Sequence, residues 1–444
     1  MDTSYLLPIS TAILVGFGAI ANPVQAEKSQ DIQLLKEQLA EIQKNYQTQI
    51  QQLESRIKQL EKLQQQKSPV PPPVQEQTRA NAFNPSIALT LNGRYQTFSH
   101  DRGDNIPGFS LGAEAGNGSQ GFSLGESELN LNSNIDDLLF GNITLAFEDE
   151  NGDTAVAVEE AWIQTLTLPT DFTLKAGRFF SSIAYMNERH SHTDDFADRP
   201  LPYRAMLNGR YLDDGVQLRW LAPTDTFLEM GGELLRGAQY PAGGSSHNGV
   251  GSWSVFAHAG GDVGISNSWL AGLSYLSADL NERESGDEDN LDLFSGSSNL
   301  IIADLVWTWS PQGNPYRNNA VIQGGIFWRD ESGRFAPSGS DWSSYDGSQS
   351  GWYAQVAYQF IPNWRFGLRA SGLSADDVSA ELAGSSLDNQ GHDPWEASLM
   401  IDWSHSEFSR LRLQYTYDQA QLQSDDRFIL QYIVSLGAHG AHQF

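Results

Sequence analysis

The chain has 444 residues, no cysteine, 41 Gly, 12 Trp and 15 Tyr, and a formal net charge of −28. So strong an acidic excess excludes a nucleic-acid partner, whose phosphates require a basic surface. Outside the N-terminus no run of eighteen apolar residues occurs, which excludes an ordinary helical membrane span.

Leu6 to Ile20 is apolar and leads into Asn22-Pro23-Val24-Gln25-Ala26. This has the form of a secretory signal cleaved after Ala26 (residues 1–26), although no Lys or Arg precedes the apolar run. Residues 27–67 are expected to form a short α-helical coiled coil. From Asp31 to Gln66 there is neither Gly nor Pro, and Ile32, Leu35, Leu39, Ile42, Tyr46, Ile50, Leu53, Ile57 and Leu60 follow three- and four-residue steps. The step from Tyr46 to Ile50 is a stutter, and so narrow a seam is stable only against a partner. Residues 68–80, which begin with SPVPPP, read as a semi-rigid linker. The coil, at +1, and Asp2 cancel, so the whole −28 falls on the body, residues 81–444.

Past Ala80 the pattern becomes short alternating segments. In SIALTLNGRYQTF, Ile87, Leu89, Leu91 and Tyr95 oppose Thr90, Asn92, Arg94 and Gln96; in SRLRLQYTY, Leu411, Leu413, Tyr415 and Tyr417 oppose Arg410, Arg412, Gln414 and Thr416. Such period-two runs of about ten residues fit tilted membrane-spanning strands. Segments of this kind fall near 86–99, 122–135, 138–149, 156–168, 171–180, 209–222, 226–236, 250–262, 268–279, 299–310, 319–331, 350–361, 363–374, 394–405, 407–419 and 426–437. Their connections alternate between short turns, such as Pro223-Thr224-Asp225 and Pro362-Asn363, and long acidic loops, including Leu280 to Ser298 and Ser332 to Gln349. That alternation belongs to a barrel with periplasmic turns and extracellular loops. The fold class is therefore all-β: a transmembrane antiparallel β-barrel of about sixteen strands in the outer membrane of a Gram-negative bacterium, with the coiled coil in the periplasm.

On LKAGRFF (Leu174 to Phe180), FADRPLPYR (Phe196 to Arg204), DDGVQLRW (Asp213 to Trp220) and the terminal Phe444, the body resembles the porin family of bacterial outer membranes, and within it the phosphate-selective type. The coil with its Pro-rich tether also resembles porins for organic anions that carry a periplasmic coiled coil. The resemblance implies a sixteen-stranded trimeric barrel narrowed by a long loop folded into the pore, here Ser181 to Leu207. Two features depart from the pattern: Lys175 is the single lysine of the body, and the chain ends GAHGAHQF, with Gly440 and His442 where alternate apolar residues are usual.

By parity Arg94, Arg219, Arg329, Arg365, Arg369, Arg410 and Arg412 face the lumen. Glu188, Asp194, Asp195 and Asp198 on the inward loop could oppose them and set a transverse field across an eyelet. The alternative is that the arginines brace the wall by pairing with Glu126, Glu229, Glu233 or Glu396. The loop also carries His190 and His192 beside carboxylates, a zinc- or copper-type donor set; His439 and His442 form a looser pair. No cofactor is expected, zinc being the candidate if the histidines ligate. The expected function is passive diffusion of small hydrophilic solutes, anionic ones among them, through a homotrimer that touches outer-membrane lipid and, through its coil, peptidoglycan. A metal-uptake protein or receptor is the alternative, though the body is too short for both a plug and some twenty-two strands. No nucleophile elbow points to an enzyme.

Overall fold

The computed structural model describes residues 85–100, 105–150, 153–244, 249–287 and 290–437. The expected signal, coil and linker, and His439, His442 and Phe444, lie outside the described residues. The strands are β1 (Ser86–Phe98), β2 (Gly121–Leu124), β3 (Ser127–Asn134), β4 (Leu139–Glu150), β5 (Asp153–Thr165), β6 (Phe172–Phe180), β7 (Leu212–Leu221), β8 (Phe227–Leu235), β9 (Ser252–Val263), β10 (Asn267–Asp287), β11 (Asn290–Trp309), β12 (Asn319–Ala336), β13 (Ser343–Ile361), β14 (Trp364–Ala375), β15 (Trp395–Ser406), β16 (Ser409–Gln419) and β17 (Asp425–Gly437). They form one antiparallel sheet in chain order, and β17 pairs back on β1 from Ala88↔Gly437 to Phe98↔Arg427. Both β2 and β3 pair with β1, so they are two halves of one stave. The result is a closed barrel of sixteen staves, which leaves no free edge.

Its polarity is inverted relative to a water-soluble barrel. On β16, Leu411 and Leu413 are 38% and 50% exposed on the outside, whereas Arg410 and Arg412 are 1% and 0% exposed inside. Arg283, Arg329 and Arg427 are likewise among the largest fully buried side chains. Two aromatic bands border the outer apolar belt. Near the long loops lie the Trp253–Tyr275, Trp395–Tyr417 and Tyr415–Phe428 pairs, and near the short turns Phe172–Trp220 and Trp364–Trp403. Trp395 and Trp403 are eight residues apart on β15, roughly 20 Å of height for a strand rising 3.3 Å per residue and tilted by about 40°.

Two expected loops are strands instead. β10 to β13 run for 18 to 21 residues, so most of Leu280–Ser298 and Ser332–Gln349 continues the hairpins. Beyond the belt the outward face is polar too and the inward face mixes Phe294, Phe335 and Tyr345 with Arg283 and Glu331, so the period-two hydropathy signal fades while the hydrogen-bond ladder goes on.

One glycine of the KAGRF run is fixed by backbone geometry. Gly177 has φ +129°, and a Cβ there would lie 2.2 Å from the Ala161 carbonyl oxygen and 2.8 Å from the Trp162 Cα. Gly177→Ala should cost about 1–3 kcal/mol of strain, seen as a lower urea midpoint in vesicles. Gly249→Ala, with open space around it, should leave the midpoint unchanged.

Candidate functional site

Between β6 and β7 the chain turns into the lumen. Asn187 closes the neck of this inward segment: its amide donates to Ser181 O (2.7 Å) and Tyr211 O (2.8 Å), and its Oδ1 accepts from Tyr211 N (2.7 Å). A short helix, α1 (Leu201–Leu207), follows Pro200 and ends at Asn208, which adopts the left-handed conformation common at helix C-termini. Every residue of α1 is buried. Ile183, Met186, Tyr203, Leu207 and Tyr211 pack with wall residues Leu276, Leu300, Ile302, Phe327, Tyr353 and Leu373 into an apolar core inside the barrel. Tyr203 meets Phe327 and Tyr353 edge to face at 5.1 and 5.7 Å, the arrangement ring quadrupoles favour.

Another flank of the segment is charged and engages β14 to β17 and β1. Asp198 pairs with Arg369 (2.5 Å) and Arg427 (3.1 Å) and accepts from Gln414 (2.7 Å). Asp195 pairs with Arg365 (2.7 Å), which also binds Asp402 (2.6 Å). Arg410 and Arg412 donate to the Asp194 carbonyl at 3.2 and 2.7 Å, while the Asp194 carboxylate pairs with Arg199 (2.5 Å). Arg94 donates to the Ala197 carbonyl. Burial pushes the Asp198 carboxyl up, but the Arg369 and Arg427 guanidiniums and the Gln414 amide hold it well below the ordinary range.

Arg219 stands apart on β7, paired with Glu188 and, at 3.5 Å, with Glu229. Arg329 lies nearer the long loops, bonded to Gln349 (2.6 Å) and the Tyr240 hydroxyl (2.8 Å). The structure thus brings Arg94, Arg365, Arg369, Arg410 and Arg412 together with Asp194, Asp195 and Asp198, in direct contact rather than across open space. Arg427 belongs to this group and was missed, although it shares inward parity with Gln431; Arg199 and Arg204, from the segment itself, carry no periodic signal.

A second cluster joins the segment to β2–β5. His190 Nδ1 lies 2.9 Å from Glu128 and 3.4 Å from Glu159, and Nε2 lies 3.4 Å from Glu160. His192 Nδ1 is 3.0 Å from Glu128, and Arg210 contacts Glu126 (2.5 Å) and Glu159 (2.6 Å). Burial lowers the affinity of His190 for a proton, but the Glu128 charge, with hydrogen bonds from the imidazole to Glu128, Glu159 and Glu160, raises its pKa well above the usual imidazole value. The glutamates were not foreseen as one site; the adjacent Glu159-Glu160 doublet in an otherwise alternating strand is the signal that could have found them.

Two polar cavities flank the segment. One, of about 390 Å3, is lined by Arg94, Glu126, Asp198, Arg210 and Arg427; the other, of about 430 Å3, by Arg189, Asp195, Gln323, Gln355 and Arg365. Asp194 lines both.

Removing one partner of a buried ion pair costs about 3–5 kcal/mol, so Asp198→Asn should accelerate amide hydrogen exchange across 194–207. Because the native carboxyl is depressed, its contribution is full above the unfolded value near 3.8 and is lost only as pH falls through the lower folded value. The wild-type segment should therefore remain protected at pH 4, and exchange mass spectrometry at pH 4 and 7 checks both expectations.

No model of a known protein family matches the chain. An uncharacterized protein of Aquifex aeolicus (strain VF5) is 30% identical over 391 residues, covering 82% of this chain and 80% of that one. Among solved structures, the trimer form of OmpT, an outer membrane protein of Vibrio cholerae, aligns at 9% identity and TM-score 0.49, covering 79% of this chain and 99% of that one. The anion-selective porin from Comamonas acidovorans gives the same four values. The outer membrane channel DcaP of Acinetobacter baumannii gives 11% identity and TM-score 0.47, covering 79% and 97%.

Proposed function

The chain belongs to one family with the Aquifex aeolicus protein, and from its closed, polarity-inverted barrel we propose that it is an outer-membrane porin. One observation carries this reading: the sheet closes on itself with an apolar belt outside and charged, hydrogen-bonded side chains inside. In hydrocarbon every backbone polar group must be satisfied within the sheet, and a barrel does this while its side chains alternate between lipid and water. The termini of the barrel and the short turns then lie on the periplasmic side of an outer-membrane homotrimer.

Small hydrophilic solutes pass by way of the two polar cavities, and the inward segment sets the narrowest point. Arg94, Arg365, Arg369, Arg410, Arg412 and Arg427 stand there against Asp194, Asp195, Asp198, Asp402 and Glu396. On the walls of the two cavities themselves seven guanidiniums stand against five carboxylates, a nearly neutral lining. Selection rests on fixed hydrogen-bond donors and acceptors in a narrow space, with a slight bias toward anions, because arginine stays charged in any such environment. The buried His190 cluster favours metal uptake as a second reading.

Refolded protein in a planar bilayer should give step conductances with a reversal potential displaced modestly toward chloride under a KCl gradient. The Arg410→Gln, Arg412→Gln double variant should move it toward potassium. Absence of any conductance from protein that is demonstrably folded contradicts the porin reading. Leu413→Arg, placed outward in the belt, should cost about 2–4 kcal/mol of folding stability in vesicles if it lies near the bilayer midplane.

A further inference from the structure

Two β-bulges aim carboxylates at one point beside the inward segment. On the β2–β3 stave the register to β1 shifts from Gly93↔Leu124 to Thr90↔Glu128. Gly125, Glu126 and Ser127 therefore oppose only Leu91 and Asn92, and Ser127 Oγ accepts the Asn92 N–H at 3.0 Å in the disrupted ladder. In β5 the register to β4 passes from Thr144↔Glu160 to Leu145↔Val158, leaving Glu159 as the extra residue. A bulge interrupts the ladder and re-aims a side chain. Here two separate bulges deliver Glu126 and Glu159, and Glu128 and His190 complete a group whose donor atoms all lie within 4.8 Å of one another.

The charges of this group do not balance. Glu126, Glu128, Glu159 and Glu160 face one guanidinium, Arg210, and the two imidazoles of His190 and His192. Even with His190 protonated the formal charge is −2 among largely buried side chains, which is costly without a further cation. The Glu159 carboxylate is 5% exposed and points into the group, with Arg210 Nη1 at 2.6 Å and His190 Nδ1 at 3.4 Å as its partners. Glu126 lines the cavity of about 390 Å3, which gives an ion a way in.

We propose that Glu126, Glu128, Glu159 and His190 bind one divalent transition-metal ion of the zinc type. An imidazole with carboxylates suits zinc, whereas calcium and magnesium take oxygen donors alone. Zinc holds its donors at roughly 2.0–2.2 Å, so the side chains close in by small rotations on binding. His192, stacked on His190 with ring centroids 5.7 Å apart and bonded to Glu128, orients that carboxylate. The ion ties the inward segment to β2–β5.

The test uses the full-length protein in detergent, stripped with a chelator and titrated with zinc chloride alone by calorimetry. One zinc per chain should bind, with calcium and magnesium chloride failing to compete at equal concentration. Glu159→Gln and His190→Gln should each weaken binding by at least about tenfold, the lower end of what loss even of an outer-shell partner costs. His405→Gln, at the turn end of β15, should not weaken it. Absence of saturable binding, or saturable binding that both ligand variants retain, overturns the proposal. Should His190→Gln fail to fold, the isosteric Glu159→Gln decides alone. Binding is read without any conductance, so its failure is separable from failure of the porin reading.

Discussion

The carboxylate of Asp198, held between Arg369 and Arg427 with the Gln414 amide on a further lone pair, is the contact that makes wall and inward segment one structure. A guanidinium buried inside a barrel is a liability unless it is paired, and so is an aspartate on a segment folded away from water. Glu396 links the same two arginines at 3.4 and 2.9 Å. The wall thus supplies part of its own compensation and the segment the rest. Neither partner can leave without stranding charge on the other.

The other flank of the segment is held by a different force. α1 sits in an apolar core whose wall side comes mainly from β10 to β14, so the segment is greasy toward one arc of the barrel and charged toward the arc beside it, from β14 round to β1. Polar space remains where the charged flank stops short of the wall. A solute entering there meets groups already committed to one another and must exchange hydrogen bonds with them. The long-loop end is knitted in similarly: the single Tyr240 hydroxyl hydrogen is shared between Ser110 O (2.7 Å) and Ala205 O (3.0 Å), and Gln349 donates to Gly108 O (2.6 Å).

The staves were legible in the sequence because a belt that is apolar outside and polar inside imposes period two on every strand crossing it. All sixteen alternating segments coincide with staves, to within a few residues at most ends. The signal failed where that constraint ends. Arg283, Glu331 and Tyr345 sit on strands beyond the belt, where outward residues are polar too and alternation of hydropathy says nothing. Inward parity named Arg365, Arg369, Arg410 and Arg412 but not which charge each would meet, since the partners come from a segment with no periodicity. Glu159 was invisible to parity altogether, because a bulge is where parity breaks.

The claim on which this account stands is that residues 181–211 pack inside the barrel, and the absence of native cysteine allows a direct test. A Cβ built on Gly351 of β13 lies 3.1 Å from the Pro202 Cβ of α1, close to the 3.5–4.5 Å that a disulfide spans. The Pro202→Cys, Gly351→Cys double variant, folded in vesicles, should oxidise to an intramolecular bridge that shifts its mobility on a non-reducing gel. If both thiols instead stay free and react with a bulky maleimide from solvent, the segment does not occupy the lumen and the account is wrong.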